Sequence, residues 1–249
     1  MLVLLRTIPS RYDWILIRSC SGKDLTALSE SAKLENVRRT KLKTVIITVP
    51  MRPKNEVAAV IYPTECNKAI EYNKPVRCPI NGILAKTLNR GEQFKVIYIL
   101  TTGENSEYKE NRDIYIDELE NINKDIGAIF SYDTIEIDFE PTKKTYNKLI
   151  TDLAEKIPDN AELYIDITFG FKPETLSLFC ALRFVEEFRE AIIQYIVYGK
   201  VEFNKETRKP EKPMIYDITS LYYLFKLMGS MGASNAENAM ETLKDFFAM

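Results

Sequence analysis

Short, continuous apolar runs alternate with stretches of helical period from residue 43 onward, and no other feature restricts the fold as much. Residues 44–49 read TVIITV, 94–100 FKVIYIL, 134–139 TIEIDF and 163–167 LYIDI. The first, second and fourth are apolar at most positions, which suits strands covered on both faces as in a parallel sheet, while the third alternates apolar with polar residues. Helical patterns fall between them at 80–88, about 107–126, 142–157 and 174–189, the third with Thr142 placed to cap it. Residues 54–79 hold Pro63, Pro75 and Pro79 among polar sequence and read as a loop or irregular insertion.

Strand and helix in alternation mean a parallel sheet with helices on both faces. Two further runs, 192–203 and 214–218, are separated by a polar turn and predict antiparallel pairing at an edge. Short helices follow at 221–228 and 236–247. The expected fold class is α/β: a Rossmann-like, mostly parallel sheet with helices on both faces and a C-terminal antiparallel hairpin at the edge. Three parts are expected. Residues 1–42 are an arm or extension closing on a basic cluster (Arg38, Arg39, Lys41, Lys43), residues 43–230 the α/β domain, and residues 231–249 a helix serving as linker or dimerisation element.

Composition removes several chemistries. The 249 residues contain no histidine. That excludes a Ser-His-Asp or Cys-His nucleophile, a histidine general base and any histidine-bearing zinc site. A net charge of −2 gives no global attraction to nucleic acid or membrane, so an anion site must be local. Cys20, Cys66, Cys78 and Cys180 form no C-x-x-C pair, and free thiols in a reducing cytoplasm are expected. The N-terminus has no apolar run long enough to span a membrane and no clean cleavage site. Trp14 reads as packing, and Glu186 and Glu187 as a solvated helix face. Asp138 and Glu140 read as carboxylates near a helix N-terminus rather than a metal pair.

Polar groups gather where strand 163–167 ends: Asp166, Thr168 and Lys172 flank the tight passage Phe169-Gly170-Phe171, and a helical pattern starts at once. In open α/β sheets ligands bind at the carboxyl ends of strands, and the free N–H groups of a new helix suit an anion such as phosphate. Asp166 equally suits a purely local role, tying down the turn. No G-x-G-x-x-G follows the first strand and no Walker A sequence is present, so the common dinucleotide and triphosphate fingerprints are missing.

Three stretches resemble the CARF domain, the CRISPR-associated Rossmann fold. Thr48-Val49-Pro50-Met51-Arg52 ends the first strand, where the family places its first ligand loop. Asp166-Ile167-Thr168-Phe169-Gly170-Phe171-Lys172 is similar to the family's Asp-x-Thr-x-Gly-x-Lys/Arg, with Phe169 where one branch has histidine and Lys172 where it has arginine. Strand 195–203 and then Ile215-Tyr216-Asp217-Ile218-Thr219 resemble the family's closing hairpin.

The resemblance implies a cytoplasmic homodimer in type III CRISPR defence that binds a cyclic oligoadenylate on its two-fold axis, with no cofactor, no metal and no duplex nucleic acid. The ligand residues it implies are Pro50, Met51, Arg52, Asp166, Thr168, Phe169, Gly170, Phe171 and Lys172. The sensing role stands beside a ring nuclease that cuts its ligand without metal, with Thr168 orienting the ribose and Lys172 stabilising the phosphorane. A generic nucleotide-binding module and nucleic-acid binding through the basic cluster are the remaining alternatives. A HEPN ribonuclease partner is excluded, because its signature needs a histidine. Residues 231–249 are too short for a nuclease, deaminase or TIR domain. A stand-alone sensor, a piece of a longer effector and a ring nuclease therefore all stay open.

Overall fold

Six strands form one sheet in the order β3-β2-β1-β4-β5-β6. They are β1 (Lys43–Thr48), β2 (Gln93–Thr102), β3 (Ile129–Asp138), β4 (Glu162–Asp166), β5 (Ile192–Phe203) and β6 (Pro210–Asp217). All neighbours pair in parallel except β5 and β6, which are antiparallel at the edge. The helices are α1 (Pro79–Thr87), α2 (Tyr108–Ile126), α3 (Lys143–Lys156), α4 (Lys172–Phe188), α5 (Thr219–Ser230) and α6 (Ala236–Ala248). The fold is therefore α/β and Rossmann-like, as the alternation of runs predicts. This is a computed structural model, and it describes residues 41–51, 53, 57–64, 67–103, 107–140, 142–204, 206–207, 209–230 and 235–248. Residues from Lys41 onward form one compact unit. The expected arm over residues 1–42, with Trp14, Cys20, Arg38 and Arg39, falls almost wholly outside the described residues.

The alternating pleat sorts the apolar runs onto two cores. On one face Val45, Ile47, Val96, Tyr98 and Leu100 pack with Ile80, Ile83 and Leu84 of α1 and with Tyr115 and Leu119 of α2. On the other, Ile46, Ile97, Ile99, Leu163 and Ile165 pack with α3 (Leu149, Leu153) and α4 (Leu178, Leu182, Val185). Each fully buried aliphatic side chain contributes roughly 1.5–3 kcal/mol of transfer free energy. Both cores together hold the sheet between its helical layers and fix where its carboxyl edge lies.

Residues 54–79 form an irregular insertion, as expected, and among its described residues Val57, Val60, Tyr62, Ile70 and Val76 are buried in the first core, with Val60 bridging Val76. These apolar residues are too irregularly spaced to show a period, so only packing reveals them. Three expectations need correcting. β3 begins at Ile129, five residues before the expected run, because its early part is exposed on an edge strand and so not uniformly apolar. Lys43 does not belong to a solvated basic cluster. It is 5 % exposed, pairs with Glu92 at 2.8 Å and donates to the Thr87 carbonyl. Glu186 is not on a solvated face either: its side chain is 2 % exposed, accepts from the Tyr222 hydroxyl at 2.6 Å and pairs with Lys226, joining α4 to α5. Glu187 is exposed as expected.

Candidate functional site

The crossovers leave in opposite directions on either side of β1 and β4, which makes this pair the switch point where an open α/β sheet binds its ligands. Thr48, the last residue of β1, donates its hydroxyl to the carbonyls of Phe169 (2.6 Å) and Asp166 (3.1 Å). It thereby fastens the β4–α4 loop to the end of β1. Pro50 is buried, and its carbonyl accepts from the Asn111 amide at 2.8 Å. Met51 is half-buried, and Arg52 lies outside the described residues.

Asp166 is 1 % exposed, and its two oxygens are occupied inside the protein. Oδ1 accepts the N–H of Thr168 at 2.8 Å and Oδ2 the N–H of Ile80 at 3.0 Å, with the Cys78 thiol 3.9 Å from Oδ2. Burial raises its pKa, and the hydrogen bonds from Thr168, Ile80 and Cys78 pull it back. The Thr168 hydroxyl accepts the N–H of Gly199 at 2.8 Å, which ties the loop to β5. The second Asp-x-Thr of the chain does the same work. Asp217 Oδ1 accepts the N–H and hydroxyl of Thr219, and the Thr219 hydroxyl accepts the N–H of Ile196. Asp166 and Thr168 are thus a strand-end latch that holds the loop in shape.

Phe169 and Phe171 straddle the sheet. Phe169 packs on the first core, Phe171 on the second, edge-on to Phe139 at 5.4 Å. Gly170 between them has φ +95°, a left-handed conformation that glycine takes without strain. Lys172 opens α4 and is exposed.

Beside this loop, at the carboxyl ends of β4 and β5, lies a recess of about 110 Å³. Thr168 and Phe169 line it with Tyr62, Arg77, Tyr198, Gly199 and Lys200. Aromatic faces and two cations therefore meet at one opening. Tyr62 keeps its phenolic proton, since burial and the nearby Asp166 carboxylate push its pKa up. Tyr198 stacks on Tyr216 of β6 (6.4 Å, 24°), both well exposed. Lys200 pairs with Glu202 at 2.8 Å. A larger hollow of about 670 Å³ lies on the flank, between α2 and residues 59–77, away from the loop. The smaller recess is the better candidate, because it adjoins the strand ends at which the fold presents polar groups.

Tyr62, Arg77, Tyr198, Gly199 and Lys200 escape the sequence reading. Gly199 carried the one available signal, a glycine inside a strand. A Cβ there would lie 2.5 Å from Pro79 Cγ and 3.2 Å from the Tyr62 ring. Tyr62 and Arg77 come from the irregular insertion, where nothing local marks them. Glu174 was also missed: it is buried in the first turn of α4, and the Thr101 hydroxyl donates to its Oε2 at 2.9 Å.

Among the described residues no group of three His, Cys, Asp or Glu side chains could hold a metal. Asp138 instead accepts the Thr102 hydroxyl. Cys78 is buried and Cys180 exposed, both as free thiols. Also among the described residues, no helix is long and apolar enough to cross a membrane. A scan of protein-family models and a search of curated proteins find no match to this chain.

Proposed function

We propose that this protein is a homodimeric sensor that binds a cyclic oligoadenylate at the carboxyl edge of its sheet, as part of type III CRISPR defence. One observation carries the reading: Thr168 and Phe169 of the Asp-x-Thr-x-Gly-x-Lys motif line a recess together with Tyr198, Lys200 and Arg77. Aromatic faces take bases of any sequence by stacking, and cations and helix N–H groups take phosphates. A ring of identical nucleotides is symmetric, so two copies of one site can grip it through an isologous dimer. Lys172, exposed at the start of α4, is the mobile charge for a phosphate. Asp166 serves by holding Thr168 and α1 in place, and Pro50 by anchoring the first loop.

The test incubates purified protein with radiolabelled cyclic tetra- and hexa-adenylate without metal, with Lys172→Ala beside the wild type. Binding and products are read from the same tubes. A ring that binds and stays intact, with weaker binding by the variant, supports the sensor. Conversion to linear products replaces it with the ring nuclease. Failure of both rings to bind at micromolar protein refutes the reading.

A further inference from the structure

The turn over the start of α4 covers a carboxyl group that the reading above leaves unused. Glu174 is 1 % exposed. Its Oε2 accepts from Thr101 at the end of β2, but its Oε1, also buried, accepts no hydrogen bond among the described residues. Gly170 lies against it, so that a Cβ at Gly170 would meet Oε1 at 2.9 Å. The whole carboxyl group therefore lies against the turn that leads into α4, since the same Cβ would sit 3.0 Å from Oε2. A buried acceptor without a donor is costly, and a proton on the carboxyl or a donor from outside removes the cost.

We infer that Glu174 is a proton-linked gate on anion binding at the start of α4: the site takes a phosphate group when Glu174 is protonated and resists it when Glu174 is ionised. The inference rests on the reading of this edge as phosphate-binding. A phosphate on the N–H groups near Gly170 brings negative charge close to a carboxyl that little water screens. Ionised, Glu174 repels it. Neutral, it does not, so binding takes up one proton from solvent. Both forms are present near neutrality, because burial raises the group from 4.5 to about 7 while the Thr101 hydroxyl and the Phe171 N–H oppose the rise.

Neighbouring charges do not account for this behaviour. Lys172 on the same helix is exposed, and Lys143 and Lys144 at the start of α3 are exposed too. Asp166 at the end of β4 is turned toward Ile80 and Cys78 of α1's first turn, and Asp138 at the end of β3 accepts from Thr102. Burial leads the causes of the Glu174 shift, and no charged side chain is among them.

The experiment measures affinity of the full chain for sulfate, which keeps its charge across the range, and for cyclic tetra-adenylate. It runs from about pH 5.5 to about pH 8.5. Sulfate is followed by the amide resonances of Gly170 and Lys172, the ring by calorimetry. Wild type should hold steady affinity at the acid end and lose up to about tenfold per pH unit above the break. Glu174→Gln, neutral throughout, should bind at the alkaline end as tightly as wild type at the acid end, without a slope. Thr101→Val removes the donor that favours the ionised form and should move the break to higher pH. A flat wild-type profile, a slope retained in Glu174→Gln, a break unmoved in Thr101→Val, or no binding of either probe at any pH overturns the gate. A slope with sulfate but no binding of the ring keeps the gate and refutes the oligoadenylate reading.

Discussion

Asp166 Oδ2 accepts the N–H of Ile80 at 3.0 Å, so the carboxylate that ends β4 caps a helix lying 86 residues earlier in the chain. Glu118 caps the same turn from the other side, accepting the N–H groups of Arg77 (2.7 Å) and Cys78 (3.1 Å). Two carboxylates thus satisfy the free donors at the start of α1 and suit its positive end. The turn they hold carries Arg77, which lines one wall of the recess. Motif and insertion are therefore one mechanical unit: what fixes the loop at Thr168 also fixes Arg77.

Asp166→Asn should test this coupling. The amide offers one acceptor oxygen where the carboxylate offers two, so either Thr168 or Ile80 loses its bond. An unsatisfied buried donor costs about 1–3 kcal/mol. Urea unfolding should show a loss of that size, and the amide resonances of both Ile80 and Arg77 should shift. An unchanged unfolding midpoint would mean the cap contributes nothing.

Gly199→Ala should be more damaging than an alanine usually is in a strand. The added methyl meets the Pro79 ring at 2.5 Å and Thr168 Oγ1 at 3.1 Å. Overpacking of this kind costs about 1–3 kcal/mol, and the strand and helix must part to relieve it. The expected outcome is a lower denaturant midpoint together with weaker ligand binding, since Gly199, Thr168 and Tyr62 share the recess. Wild-type stability in this variant would show that the close approach relaxes freely.

The sheet was legible because its signal is local. TVIITV and FKVIYIL are apolar at nearly every position, and burial on both faces requires just that. Thr142 was readable as a cap, and it does accept the Thr145 N–H. The motif from Asp166 to Lys172 was readable as a strand end followed by a helix, yet two of its members look inward. Asp166 and the Thr168 hydroxyl are consumed by the latch, a role the sequence equally allowed. The walls of the recess were not legible. Tyr62 and Arg77 arrive from an insertion without period, and Tyr198 sits in a strand where an aromatic is ordinary. Only the register of β5 on β6, setting Tyr198 opposite Tyr216, gives that residue an exposed partner.

Tyr198→Ala and Lys172→Ala should separate binding from folding. The cross-strand pair Tyr198–Tyr216 contributes roughly 0.2–1 kcal/mol to the hairpin. Exposed Lys172 should matter within about 0.5 kcal/mol. A base stacked on Tyr198 would be worth about 1–3 kcal/mol, and a charge-assisted bond from Lys172 to phosphate about 1.5–3 kcal/mol. Oligoadenylate affinity should therefore fall at least several-fold in each variant while thermal unfolding barely moves. Equal affinity in both variants would remove the recess and the helix start from the binding surface.

Glu174→Gln should stabilise the fold at alkaline pH. The folded state holds the Glu174 proton more tightly than the unfolded chain does, with 4.5 raised to about 7. For an acid shifted upward, stability is fully present below the unfolded value and is lost as pH climbs to the folded one. The window is therefore about pH 4.5 to 7, and the loss accumulated by about pH 8 is roughly 3 kcal/mol. Glutamine keeps an acceptor for the Thr101 hydroxyl and has no proton to lose. Paired urea titrations of wild type and variant at about pH 4 and about pH 8 cancel every other ionisable group. Their stability difference should shift toward the variant by roughly 3 kcal/mol between the two. A difference that does not change with pH would mean that Glu174 ionises in the folded protein as easily as in water, and that the buried oxygen beside Gly170 finds a donor.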